Sequence, residues 1–280
     1  GTGVVASLRK GQSQRIIGLR ADMDALPIVE TSGLPYASRH SGKMHACGHD
    51  GHTAMLLAAG QCLAQSIDFD GTVRLIFQPA EEGFLGAKRM VEDGLFQRFP
   101  CDAVFALHNW PGLPVGCFGF LPGAFMASAD TVTIRINGRG GHGAMPHETA
   151  DPVVAAASLV MALQTVVARN LPPLDMGVVG IGSIHGGGSS TVVPTCVELA
   201  ITVRALKEAT RRLLLQRIEA LAHAQAAAFG TTAEVTVDAN AYPVLYNHPE
   251  ETDLARSVAL SWLGEDGVVP DMQPMTCSED

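Results

Sequence analysis

The sequence predicts an α/β fold with a mostly parallel sheet, interrupted by a separate α+β unit. Three observations carry that expectation. Residues 1–126 alternate strand-like and helix-like segments, and two of the strands are nearly continuous apolar runs, as in a sheet covered on both faces. From about residue 127 the strands instead alternate apolar with polar residues, so that one face is buried and the other exposed. Side chains capable of holding a metal gather where the strands of the first region end.

In the first region, residues 4–8 and 15–20 are short strand candidates around a turn at Gly11. Residues 53–64 form a helix rich in Ala, Leu and Met, followed by a buried strand over 72–77. Residues 85–92 read as a short helix ended by Gly94, and 103–107 as another buried strand. In the second region, the strand over 131–137 has a period of two. Asp151 then Pro152 supplies an N-cap and a first-turn proline for a helix to about Arg169. A strand over 176–184, an alternating strand over 197–204, a helix over 206–229 closed by Gly230 and a last strand over 234–238 complete it.

The order β-α-β-β-α-β is that of the ferredoxin-like unit. Residues 1–126 and 245–280 are therefore expected to form one domain, with 127–244 inserted into it. Neither end carries a closing element, so the chain is expected to be a fragment.

Composition narrows the partners. Against 28 Asp and Glu stand 19 Lys and Arg, a balance of −9 that argues against a nucleic acid partner. No apolar run of roughly 18 residues escapes polar interruption, and residues 1–10 lack the apolar core of a signal peptide, so no membrane association is expected. Six cysteines without framework spacing predict reduced thiols in a cytoplasmic protein.

Asp22 and Asp24 follow the second strand candidate, Glu81 and Glu82 the strand over 72–77, and His108 the strand that starts near Ala103. His45, Cys47, His49, Asp50 and His52 precede the first helix. Loops at the carboxyl ends of parallel strands share one edge, where ligands bind. Thiolate, imidazole and carboxylate together suit zinc or a similar first-row ion. Adjacent glutamates suit a division between a ligand and a general base, and aspartates behind a histidine suit its orientation. Each residue alone has a plainer reading, as a packed thiol, a solvated loop acid or a cap; their joint placement favours the metal site.

These residues carry a resemblance. His45-Ala46-Cys47-Gly48-His49-Asp50-Gly51-His52, Gln78-Pro79-Ala80-Glu81-Glu82-Gly83 and Leu107-His108-Asn109-Trp110-Pro111 resemble the hippurate hydrolase and auxin-conjugate amidohydrolase branch of the M20 metallopeptidase family. The runs from Arg20 to Pro27 and from Gly140 to His147 fit it too, and the match covers nearly the whole chain in order. The resemblance implies a metallo-aminopeptidase-like catalytic domain with an inserted lid that also dimerises. It implies hydrolysis of N-acyl amino acids with two divalent ions, zinc, manganese or cobalt. It also implies Cys47, His49, Glu82 and His108 as ligands, with Cys47 bridging, and Glu81 as general base. Asp24 would orient a ligand, with Asp22 a second candidate for that task.

His142 reads by itself as a polar turn residue; the resemblance makes it the lid histidine that stabilises the oxyanion in a partner subunit. Arg204 reads as an ordinary exposed arginine or, by the resemblance, as a contact to the substrate α-carboxylate. Thr191 stands where the family usually has asparagine, and a further histidine ligand is expected from beyond residue 280. Dipeptidase, biosynthetic N-deacetylase and non-catalytic binding protein are the alternatives.

Overall fold

The computed structural model describes residues 1–65 and 68–280. It divides into two compact units, residues 1–117 together with Asp280, and residues 118–279.

The first unit runs β1 (Val4–Lys10), β2 (Ile16–Asp22), α1 (His49–Gln65), β3 (Gly71–Gln78), α2 (Glu81–Phe84), α3 (Gly86–Glu92), α4 (Leu95–Arg98) and β4 (Ala103–Ala106). Its sheet has the order β1-β3-β2-β4. β2 is parallel to both β3 and β4, whereas β1 is antiparallel to β3, with Val4 opposite Phe77 and Lys10 opposite Gly71. The two strand candidates around Gly11 are thus both strands, but β3 lies between them. A local turn suggested adjacency; the long apolar β3, buried along most of its length, takes the central place instead. Ala21, Leu56, Val73, Leu75 and Phe77 form the core between this sheet and α1. α1 begins four residues earlier than the sequence suggested, so His49, Asp50 and His52 lie in its first turn rather than before it.

The second unit contains β5 (Phe118–Gly119), β6 (Gly123–Met126), β7 (Ser128–Asn137), β8 (Gly141–His142), α5 (Pro152–Asn170), β9 (Gly177–His185), β10 (Val192–Val193) and β11 (Cys196–Ala205). It continues with α6 (Glu208–Ala228), β12 (Thr232–Val237), β13 (Leu245–Asn247), α7 (Pro249–Leu263) and β14 (Val268–Val269). The main sheet has the order β12-β7-β11-β9 and every pair is antiparallel. Alternation along β7 buries Val132, Ile134 and Ile136, which pack with Leu159 and Leu163 of α5 and Leu214 and Ile218 of α6. The same phase carries Asp130 inward, where it takes a two-pronged ion pair from Arg211 at 2.8 and 2.7 Å. By length and composition α5 is apolar enough to cross a membrane, but Ala155, Ala156, Leu159, Leu163 and Val166 are buried in this core. The short pairs β13–β6 and β14–β5 lie outside the main sheet.

Candidate metal centre

Parallel strands set the stage: β2, β3 and β4 all end at one edge of the first sheet, and the segments that follow them meet the start of α1. His49, at the start of that helix, is 1% exposed. Its Nδ1 lies 3.1 Å from Asp24 Oδ1. A carboxylate only accepts, so the proton sits on Nδ1 and Nε2 presents a lone pair. That Nε2 is buried without a hydrogen-bond partner and faces Asp22 Oδ2 at 3.7 Å and Glu82 Oε1 at 4.0 Å. A lone pair buried beside two carboxylates is unfavourable unless a proton or a cation lies among them.

Asp24 also receives the Glu82 backbone N–H at 2.9 Å through its other oxygen, which ties His49 to the glutamate turn. The turn itself is strained. Ala80 (φ 59°) and Leu85 (φ 51°), on either side of α2, adopt the left-handed conformation that residues with a Cβ avoid. Gly86 closes the turn by donating to the Ala80 carbonyl at 2.9 Å, and a Cβ there would lie 1.7 Å from the Pro79 oxygen. The strain presents two neighbouring carboxylates to one place, with Glu81 6% exposed.

Cys47 Sγ lies 3.5 Å from His108 Nε2. The other His108 nitrogen is 2.6 Å from the Asn109 carbonyl, to which it donates, so Nε2 again carries a lone pair. Burial, followed by the charges of Glu82 and Glu81, pushes the Cys47 thiol up to about 12. A thiolate here therefore calls for a compensating positive charge.

Among the described residues three donor sets share His49: Cys47 with His108, Glu81 with Glu82, and Asp22 with His52, the atoms of each set lying within 4.8 Å of one another. In the last, the ring nitrogens of His52 are already engaged by Asp22 and Asn109. Thiolate, imidazole and carboxylate around an orphaned imidazole nitrogen fit divalent first-row cations.

Asp22 is wholly buried behind the histidines. Burial presses its carboxyl upward, but a 2.6 Å hydrogen bond from His52 and the charge of Arg20, 2.9 Å away, outweigh this and hold it below the usual range. Cys47, His49, Asp24, Glu81, Glu82 and His108 thus gather in the first unit. His142 and Arg204 belong to the second. His142 is exposed on β8, opposite Val192 of β10, and its Nδ1 accepts the Ala144 N–H at 3.1 Å. Arg204 is half-buried on β11 and donates to Ser278 Oγ at 2.9 Å. Thr191, at the departure from the family pattern, gives its carbonyl to the Gly143 N–H.

Sequence reasoning assigned no role to Asn109 or to His52 individually. Asn109 Nδ2 donates to the Cys47 carbonyl at 2.9 Å, and its backbone N–H donates to His52 Nε2 at 2.9 Å. Their only signal in the sequence was membership of the runs around Cys47 and His108.

Residues 18–280 match the profile of peptidase family M20/M25/M40. The whole chain aligns with a hippurate hydrolase of Campylobacter jejuni at 45% identity, covering 72% of that protein. It aligns with an N-acetyl-L-cysteine deacetylase of Bacillus subtilis at 42% identity, covering 66% of that one. Among solved structures, the Bacillus subtilis YxeP protein, a dinuclear metal binding peptidase from the M20 family, matches 99% of this chain and 71% of its own. The TM-score of that match is 0.81, at 35% identity.

Proposed function

Since the chain belongs to peptidase family M20/M25/M40, metal-dependent hydrolases of amide bonds, we propose that it cleaves N-acyl amino acids to a free amino acid and a carboxylic acid. The observation that carries this reading is the unpartnered Nε2 of His49, a buried lone pair among carboxylates beside the Cys47–His108 pair. Cys47, His49, Glu82 and His108 would hold two divalent ions, zinc, manganese or cobalt. When bound, such ions acidify water and polarise a carbonyl.

Glu81 takes the proton from the attacking water and returns it to the leaving amine. Asp24 keeps His49 in the tautomer that offers Nε2, and fixes the glutamate turn through the Glu82 N–H. Residues 1–126 and 245–280 are proposed as the catalytic domain and 127–244 as a ferredoxin-like lid through which a homodimer forms. His142 of one subunit would stabilise the oxyanion in the other, and Arg204 would receive the substrate α-carboxylate. Six free thiols support a reducing, cytoplasmic setting.

The test is amino-acid release from N-acetyl, N-benzoyl and indole-acetyl amino acids by the full-length protein, with chelator and after return of zinc, manganese or cobalt. Release that stops with chelator and returns with metal identifies the hydrolase and its acyl class. A folded, metal-loaded protein that releases nothing, yet cuts dipeptides, would replace this reading with a dipeptidase.

A further inference from the structure

We infer that His52 and Asn109 are positioning residues, a neutral clamp that sets the distance between the Cys47 thiol and the His108 imidazole. The inference rests on the reading of those two as metal ligands.

The hydrogen bonds assign the clamp's protons. A backbone N–H can only donate, so His52 Nε2, 2.9 Å from the Asn109 nitrogen, must carry the lone pair. The ring proton is then on Nδ1, which donates to Asp22 at 2.6 Å. Both ring nitrogens are occupied, and His52 has no electron pair left for a cation. His49, backed instead by Asp24 and stacked on His52 with ring centroids 5.4 Å apart, is the opposite case, with its Nε2 unpartnered. Two similar histidines in one helical turn are thereby separated into a ligand and a brace.

From His52 the clamp passes to Asn109, whose side-chain amide reaches the Cys47 carbonyl. The amide lies flat against Gly48, where φ is +86° and a Cβ would come within 2.3 Å of Asn109 Nδ2. The Asn109 carbonyl, in turn, receives the His108 Nδ1 proton and aims Nε2 at Cys47. One residue therefore touches the turn that carries Cys47, the helix that carries His49 and the ring of His108. Beside the Cys47–His108 approach itself, the Asn109 amide thus ties the loop after β4 to the turn that carries Cys47.

Titration of the full-length protein with Co2+ tests the clamp, because a cobalt–thiolate bond gives a charge-transfer absorption that reports on Cys47. Wild type should bind Co2+ and show the band; no band in wild type would overturn the ligand reading, and the clamp with it. Asn109→Ala, at an exposed position, should keep the wild-type circular dichroism and metal-free Tm. Its Co2+ affinity should fall about 10- to 100-fold, with a weakened or displaced band. Asn109→Asp, which keeps the size but cannot donate to the Cys47 carbonyl, should behave alike. His52→Gln, able to donate to Asp22 and accept from Asn109, should hold wild-type stoichiometry and lose less affinity than His52→Leu. Wild-type affinity and band in both Asn109 variants, or the loss of one ion per chain in His52→Gln, would overturn the clamp alone.

Discussion

Glu81 sits buried on a turn whose flanking residues are held in left-handed geometry, and in the proposed reaction its carboxylate is the group that moves the proton. Replacement by glutamine preserves shape and removes the base. Glu81→Gln should therefore retain its metal content and lose about 10²- to 10⁴-fold in kcat; a near-wild-type rate would remove Glu81 from the mechanism. The ligand-type residues were legible at this scale because their chemistry is written in the side chain: Cys47, His49, Glu82 and His108 each fall just after a strand or at a helix start. The brace was not legible. His52 is the same residue type as His49, and what separates them is a backbone N–H from Asn109 that no side-chain pattern discloses. Asn109 is not a common metal ligand, and so drew no attention within its own motif.

At the level of elements, α5 was readable because Asp151 and Pro152 state its beginning outright. Asp151 Oδ1 accepts the Val153 N–H at 2.8 Å, as an N-cap should. Asp151→Ala should cost about 1 kcal/mol in urea unfolding, with the slope unchanged. The placement of β1 was less readable, since its pairing with β3 is long-range and the Gly11 turn speaks only of neighbours. That turn is closed from elsewhere: Asp70 Oδ1 accepts the N–H groups of Gln12 and Ser13, both at 2.7 Å. The Ser13 and Gln12 donors, in that order, hold its carboxyl below the usual range. A carboxyl depressed in the folded state stabilises above its unfolded value and loses that contribution as pH falls through the folded one. Asp70→Asn should thus melt below wild type at neutral pH, with the gap closing in acid; a gap independent of pH would show that the charge of Asp70 is irrelevant. The two-residue strands β5, β8, β10 and β14 were not anticipated, being too short to show a period.

For the whole molecule, the proposed lid makes each active site depend on two chains. Glu81→Gln and His142→Ala should each be nearly inactive alone. Mixed and allowed to exchange subunits, they should regain activity, because a hybrid dimer contains one site with both groups intact. No recovery after proven exchange would place His142 outside its partner's site. The change of period near residue 127 was visible, and the main sheet of the second unit has the β-α-β-β-α-β order expected there. The short strands and α7 around that sheet left no comparable pattern. The reading of 103–107 as a buried strand was wrong: β3 is buried along most of its length, but β4 lies at the sheet edge with Val104 exposed.

One contact within the first unit bears on how the protein is made. Asp280 receives the Gln78 amide at 2.6 Å and the Ala87 N–H at 2.8 Å, and lies 3.5 Å from the Arg20 guanidinium that also holds Asp22. Gln78 and Asp280 are 202 positions apart. The second unit's sheet and helices are contiguous in sequence and can fold as they leave the ribosome. The carboxylate behind the histidines, by contrast, waits for nearly all of that synthesis before its guanidinium is braced. A nascent chain would therefore carry the proposed metal site in a provisional state, and premature capture of an ion there would meet a cradle not yet locked.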